Sequence, residues 1–192
     1  MSGKLFIVSA PSGAGKTSLI DEILTRLQPR YVIDRVVTYT SRDARPGECE
    51  GVDFCYVSPK EFEKRVQEGF FLEWSKAYEH YYGSPTSVKD DLKNGNSRIL
   101  VIDRVGAKQV LKHVSEAVTV WIHTPSIDIL RQRLMRRGAN SLSQIEKRIE
   151  LARKELQDEE ANRVYTYHVL NGDFDKAAKD LEEIFVKELN IL

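Results

Sequence analysis

Residues 10–18 read Ala10-Pro11-Ser12-Gly13-Ala14-Gly15-Lys16-Thr17-Ser18, directly after the apolar run Leu5-Phe6-Ile7-Val8. A buried strand running through a glycine-rich turn into a helix is the setting of a phosphate-binding loop. Gly13 and Gly15 let backbone N–H groups curl around phosphate oxygens with no Cβ in the way. Lys16 brings a cation to the outer phosphates, Thr17 offers a hydroxyl to Mg²⁺, and the helix adds the positive end of its dipole. Such loops usually open with glycine; Ala10 takes that place, which requires a negative φ there. The stretch implies that a nucleoside triphosphate or similar polyphosphate binds, and leaves open what is done with it.

Around this loop, strand and helix signals alternate, which predicts an α/β fold with a parallel sheet flanked by helices. Strands are expected at 4–9, 98–102, 118–122 and 167–170, and helices near 15–28, 59–67, 85–93, 126–137, 142–160 and 174–189. Arg98-Ile99-Leu100-Val101-Ile102 and Val118-Thr119-Val120-Trp121-Ile122 are continuous enough for strands buried on both faces. Phe70–Trp74 and His80–Ser84 read as short strands or loop pieces. Two stretches interrupt the alternation: 35–85, rich in β and turn signals, and 137–160, rich in charge. The predicted organisation is one domain, with a core of 1–34, 86–136 and 161–192, an inserted β-rich region at 35–85 and a helical lid at 137–160.

The chain has 192 residues, 41% of them hydrophobic and 30% charged, enough for a self-sufficient core. Lys+Arg and Asp+Glu balance at 29 each, so net charge gives no case for nucleic acid or an anionic membrane surface. No transmembrane run or signal-peptide architecture is visible, and Cys49 and Cys55 lack metal-ligand spacing, which together predict a cytoplasmic protein. Oligomeric state is left open.

Three constellations carry further chemistry. Arg42 and Arg45 stand three apart in a turn-rich segment, where two guanidinium forks can converge on one phosphate; alone, they would equally suit a solvated loop. Glu73 beside Trp74, the Tyr81–Ser84 run and Asp103 past a central strand suit a purine reader, since guanine N1–H and N2–H₂ need acceptors. The plainer alternative makes Glu73 a surface carboxylate and Asp103 a helix N-cap. Arg133 and Arg137 share a helix face, and Arg148 follows on a helix with only a thin apolar stripe. They read either as a solvated face or as a mobile lid over the triphosphate, with Gly138 as hinge.

Ser9–Leu19, Thr40–Glu48, Phe71–Trp74, Tyr81–Ser84, Arg133–Gly138 and Ile145–Arg148 together resemble the guanylate kinases, nucleoside monophosphate kinases with a phosphate loop, over essentially the whole chain. The resemblance implies transfer of the γ-phosphoryl group of ATP to GMP, and to dGMP, with Mg²⁺. It implies that Ala10–Ser18 and Asn171 hold ATP. Thr38, Glu73, Ser84 and Asp103 would contact guanine, and Arg42, Arg45 and Tyr82 the GMP phosphate, with Glu48 orienting the arginines. Lys16, Arg42, Arg133, Arg137 and Arg148 would serve the transfer. The chain departs from the family pattern at Phe54 for Tyr, Val101 for Asp and Val105 for Gln, each removing a polar group. Two other readings stand beside the kinase: a non-catalytic interaction module of the same fold, and a related kinase for another small phosphorylated acceptor.

Overall fold

The computed structural model describes residues 3–77, 79–136 and 141–190. β1 (Leu5–Ser9) passes through the glycine-rich loop into α1 (Lys16–Leu27), and β2 (Ile33–Arg35) follows. β3 (Thr38–Thr40), β4 (Phe54–Tyr56), α2 (Pro59–Gln67), β5 (Phe71–Ala77) and β6 (His80–Pro85) come next. The chain continues through α3 (Val88–Lys93), β7 (Ser97–Val101), α4 (Arg104–Leu111) and β8 (Val118–His123). It ends with α5 (Ile127–Arg136), α6 (Leu142–Ala161), β9 (Tyr167–Leu170) and α7 (Phe174–Leu189).

Among the described residues two sheets form. The first is wholly parallel, in the order β2-β7-β1-β8-β9. β1 is buried on both faces, and its side chains alternate between two apolar clusters. Phe6 and Val8 pack with Leu19, Ile23, Leu130 and Phe185. Leu5 and Ile7 pack with Leu100, Ala107, Val110 and Trp121 on the other side. This two-faced burial is why the central strands read as unbroken apolar runs. β1 lies between β7 and β8, so the loop after β1, the turn after β7 and Asn171 after β9 all emerge at the C-terminal edge of the sheet.

The second sheet, β4-β3-β6-β5, draws all its strands from the β-rich stretch. β3 and β4 are parallel, while β6 runs antiparallel to both β3 and β5. Phe62 of α2 stacks on Phe71 and Tyr81, with ring centroids 4.4 and 5.1 Å apart. α2 begins as its sequence predicts: Ser58 Oγ accepts from Glu61 N–H, and Pro59 stands in the first turn. Gln109 of α4 joins the sheets, donating to Trp74 O at 2.7 Å and accepting from Trp74 N–H at 3.1 Å.

One open reading is decided and one expectation changes. Of short strands or loop pieces, strands form: β5 and β6 pair antiparallel from Phe71 opposite Pro85 to Ala77 opposite His80. The helix expected from Pro85 starts only at Val88, because Pro85 ends β6 opposite Phe71. A strand end tolerates the missing N–H, so proline marks this boundary without opening the helix. Arg137 and Gly138 lie outside the described residues. No described helix is long and apolar enough to cross a membrane.

Candidate active site

The loop after β1 has the backbone its glycines anticipate. Gly13 and Gly15 adopt φ of 92° and 87°, in the left-handed region, and Gly15 is the N-cap of α1 with no side-chain cap. The first-turn N–H groups of α1 therefore face the loop, the arrangement that receives phosphate oxygens. Ala10 keeps a negative φ, since Glu79 is the non-glycine with positive φ among the described residues.

The loop is held from behind. Asn171 Nδ2 donates to Ala14 O at 2.7 Å, and Arg133 donates to Asn171 O at 3.0 Å and to Ala14 O at 3.4 Å. Arg148 of α6 reaches the other side, donating to Ser12 Oγ at 2.9 Å. A Cβ on Gly15 would meet Asn171 Nδ2 at 2.5 Å, so glycine is demanded there by contact as well as by φ.

A cavity of about 570 Å³ opens between the loop, the second sheet and α6. Loop residues 10–17, Thr38, Arg45, Glu73, Tyr82, Asp103 and Arg148 all line it. Ser18 is exposed and lies outside the lining, and Arg133 and Asn171 stand behind the loop. Arg42, Glu48 and Ser84 sit behind the wall, where they hold the lining residues.

Behind the wall, Arg42 is 7% exposed, and its fork makes two 2.7 Å bonds to Glu48. Glu48 also accepts from Arg45 N–H at 2.8 Å and from the Tyr56 hydroxyl at 2.7 Å. Burial pushes the Glu48 carboxyl up, but these donors overcome it and bring it down to about 2. The Arg42 guanidinium lies 4.8 Å from the centre of the Phe54 ring. Phe54 thus gives the clamp an aromatic face, while Tyr56, two residues on, supplies a hydroxyl.

At the far end of the cavity, Glu73 is 2% exposed and accepts from Ser84 Oγ at 2.6 Å across the β5–β6 pair. Burial pushes its carboxyl up to about 7; the Ser84 hydroxyl opposes this and the charge of Asp103 adds to it. Asp103 accepts from Gly106 N–H at 2.8 Å and from Ser75 Oγ at 2.6 Å. It is the N-cap of α4, as the plainer reading has it, and it also lines the cavity.

α6 adds groups that the sequence reading did not single out. Glu155, Lys154 and Asp158 line the cavity with Leu151 and Arg148. Their spacing of three to four residues marks one helix face, and that periodicity was the available signal. Burial pushes Glu155 up to about 7, opposed by the charge of Lys16, while burial lowers Lys16. Ser75, Tyr56 and Gln109 had no sequence signal, because their importance lies in partners far along the chain.

The residues present fit a Mg²⁺ ion that arrives on substrate phosphates. Thr17 is exposed beside the loop, and among the described residues no group of three or more His, Cys, Asp or Glu is placed to hold a metal. Mg²⁺ commonly keeps several waters and binds through phosphates plus one or two protein oxygens, so a hydroxyl beside a phosphate loop suffices.

A family model described as guanylate kinase matches residues 2–188. The chain belongs to the guanylate kinase family. It is similar to the guanylate kinase of Haemophilus ducreyi, 38% identical over 189 residues that span 98% of this chain and 90% of that one. It is 39% identical to the Coxiella burnetii guanylate kinase over 185 residues, 96% of this chain and 87% of the relative. The crystal structure of guanylate kinase from Anaplasma phagocytophilum superposes with a TM-score of 0.77 at 28% identity, covering 98% of this chain and 87% of that one. The likeness thus extends over nearly the whole chain, both sheets included.

Proposed function

We propose that the phosphate loop, the Arg42–Glu48 clamp and the arginines of α5 and α6 divide one phosphoryl transfer between them. The chain is an ATP-dependent GMP kinase, forming ADP and GDP. The observation that carries the division of labour is the single cavity in which Lys16, Arg45, Glu73, Asp103 and Arg148 meet.

In this reading, residues 1–34, 86–136 and 161–192 form the core, 35–85 receive GMP and 137–160 form the lid. The loop N–H groups, Lys16 and Asn171 hold ATP. Glu73 and Asp103 accept the guanine N–H donors, with Thr38 and Ser84 beside them. Arg45 and Tyr82 take the GMP phosphate, and Glu48 fixes Arg42 and the Arg45 backbone next to it. Thr17 would hold Mg²⁺ beside the substrate phosphates, where the ion would supply neutralisation of charge on the transferring group. The GMP phosphate is already ionised, so no strong general base is needed. Catalysis comes from aligning the two nucleotides in line and from Lys16, Arg137 and Arg148 at the developing charge, with Arg133 bracing the loop through Asn171 O and Ala14 O. The lid excludes water, which would otherwise take the phosphoryl group. dGMP lacks only the ribose 2′-hydroxyl, for which no assigned residue is specific, and is a second acceptor. A cytoplasmic location suits the free thiols of Cys49 and Cys55.

ADP release measured with GMP, dGMP, AMP and UMP as acceptors tests this function. Turnover with GMP and dGMP and little with AMP or UMP is expected; equal turnover across the four contradicts the guanine assignment.

A further inference from the structure

α6 carries Arg148 against the phosphate loop, yet its other end is fastened to the opposite half of the cavity. Arg104 is 5% exposed, and its guanidinium pairs with Glu159, which is 2% exposed, in the last turns of α6. The same fork donates to Asp158 O at 2.8 Å and to Asn162 O. One planar guanidinium here spans a carboxylate, the C-cap carbonyl of Asn162 and the Asp158 carbonyl, which also accepts from Asn162 N–H at 2.9 Å. Glu159 in turn accepts from Val164 N–H and Tyr165 N–H, which fixes the path from α6 into β9.

Arg104 is also the first residue of α4, directly after the N-cap Asp103. In the same turn, Gly106 donates to Asp103, and a Cβ on Gly106 would meet Glu73 Oε2 at 2.3 Å. The turn that touches both carboxylates at the base-reading end therefore holds the root of the lid helix. From Glu159 back to Arg148 is eleven residues, about 16 Å of helix. A small rotation at the root becomes a displacement of Arg148 at the loop. A buried ion pair adds little net stability over an apolar pair of the same volume, so its main consequence here is to fix geometry.

We propose that Arg104 is a positioning residue that couples occupancy of the guanine end of the cavity to the placement of Arg148 over the phosphate loop. The coupling rests on the GMP kinase reading. It acts through the α4–α6 junction: Arg104 borders the cavity, but its guanidinium is engaged by Glu159, Asp158 O and Asn162 O. Guanine seated on Glu73 and Asp103 settles the first turn of α4, and the Arg104 fork carries that setting to the end of α6. Without the fork, both nucleotides still bind, but Arg148 is no longer registered to the acceptor.

The test removes the pair as a unit, because loss of Arg104 alone would leave Glu159 buried without its cation. Arg104→Met with Glu159→Gln keeps an acceptor for Val164 and Tyr165, and Arg104→Lys keeps the charge without the fork. Wild type and both variants are compared by thermal melting, by GMP titration for binding-competent fraction, and by the ratio of ADP to GDP formed. In the folded double variant, KM for ATP and for GMP should stay within about threefold of wild type, while kcat falls about tenfold and ATP hydrolysis uncoupled from transfer rises by a similar factor. Arg104→Lys should fall between the two, because a single ammonium cannot span carboxylate and carbonyls. A folded double variant with wild-type kcat and coupling overturns the proposal, as does a kcat loss fully matched by loss of binding-competent protein. Failure of wild type itself to form GDP would instead overturn the kinase reading.

Discussion

Oε2 of Glu73 occupies the space beside Gly106, 2.3 Å from where a Cβ on that glycine would stand. Glycine in a helix costs roughly 1 kcal/mol against alanine, and here that cost admits a buried carboxylate to the cavity wall. Gly106→Ala should raise KM for GMP at least about tenfold while leaving KM for ATP within about threefold, because the displaced group serves only the acceptor. Steady-state kinetics with each substrate varied in turn checks this, and an unchanged KM for GMP would contradict the placement.

Glu73 should give GMP binding a pH dependence centred near 7. Only the ionised carboxylate accepts two guanine N–H donors, so affinity should fall as pH drops from 8 to 6, with proton release on binding at pH 6. Stability has the opposite sense. A carboxylate whose folded value is raised by burial holds its proton more tightly in the native state. Its contribution is fully present below the usual carboxylate range near pH 4.5 and is lost as pH climbs toward 7, by at most about 3 kcal/mol. Glu73→Gln should therefore melt close to wild type at pH 4.5 and above it at pH 8, while losing GMP affinity at pH 8 and differing little from the protonated wild type at pH 4.5. A melting difference that does not change with pH would contradict the assignment.

The strand–loop–helix unit was legible because its signals are local: an apolar run, two glycines at positive φ and a lysine at the helix start. Asp103 was legible as a cavity candidate and as a cap for the same reason, since both follow from standing just past a buried strand. Ser75, Tyr56 and Gln109 were not. Their bonds to Asp103, Glu48 and the Trp74 backbone depend on how strands and helices meet. Glu155 was hidden in a charge-rich helix whose orientation the sequence does not state, although its spacing from Arg148 and Leu151 marked a shared face. Pro85 misled because proline suits a helix start and a strand end equally, and pairing of Pro85 with Phe71 decided between them.

Glu48 is held down to about 2 by Arg42, Arg45 N–H and Tyr56, so it stays ionised through any working pH and contributes no acidic limb above pH 4. Glu48→Gln removes the charge from a bidentate clamp and should raise KM for GMP by about 10- to 100-fold with ATP binding preserved. Tyr56→Phe removes one donor of several and should cost about threefold. Both are read from GMP and ATP titrations. A Glu48→Gln protein with normal GMP affinity would show that the clamp does not set the acceptor site.

Asn171 supports the donor loop from behind through Ala14 O, where Arg133 makes only a 3.4 Å contact. Asn171→Ala should weaken ATP binding about tenfold and leave GMP binding unchanged, the reverse of the Glu48 variant. Gly15→Ala meets both a positive φ and the Asn171 amide, and should abolish ATP binding. ADP titration by calorimetry separates the two.

Transfer of label from γ-labelled ATP tests the central claim most directly. Wild type mixed with labelled ATP, Mg²⁺ and GMP should move the label into GDP, and Lys16→Met should leave it on ATP. Label appearing only as inorganic phosphate, or reaching GDP equally well without Lys16, would contradict the account.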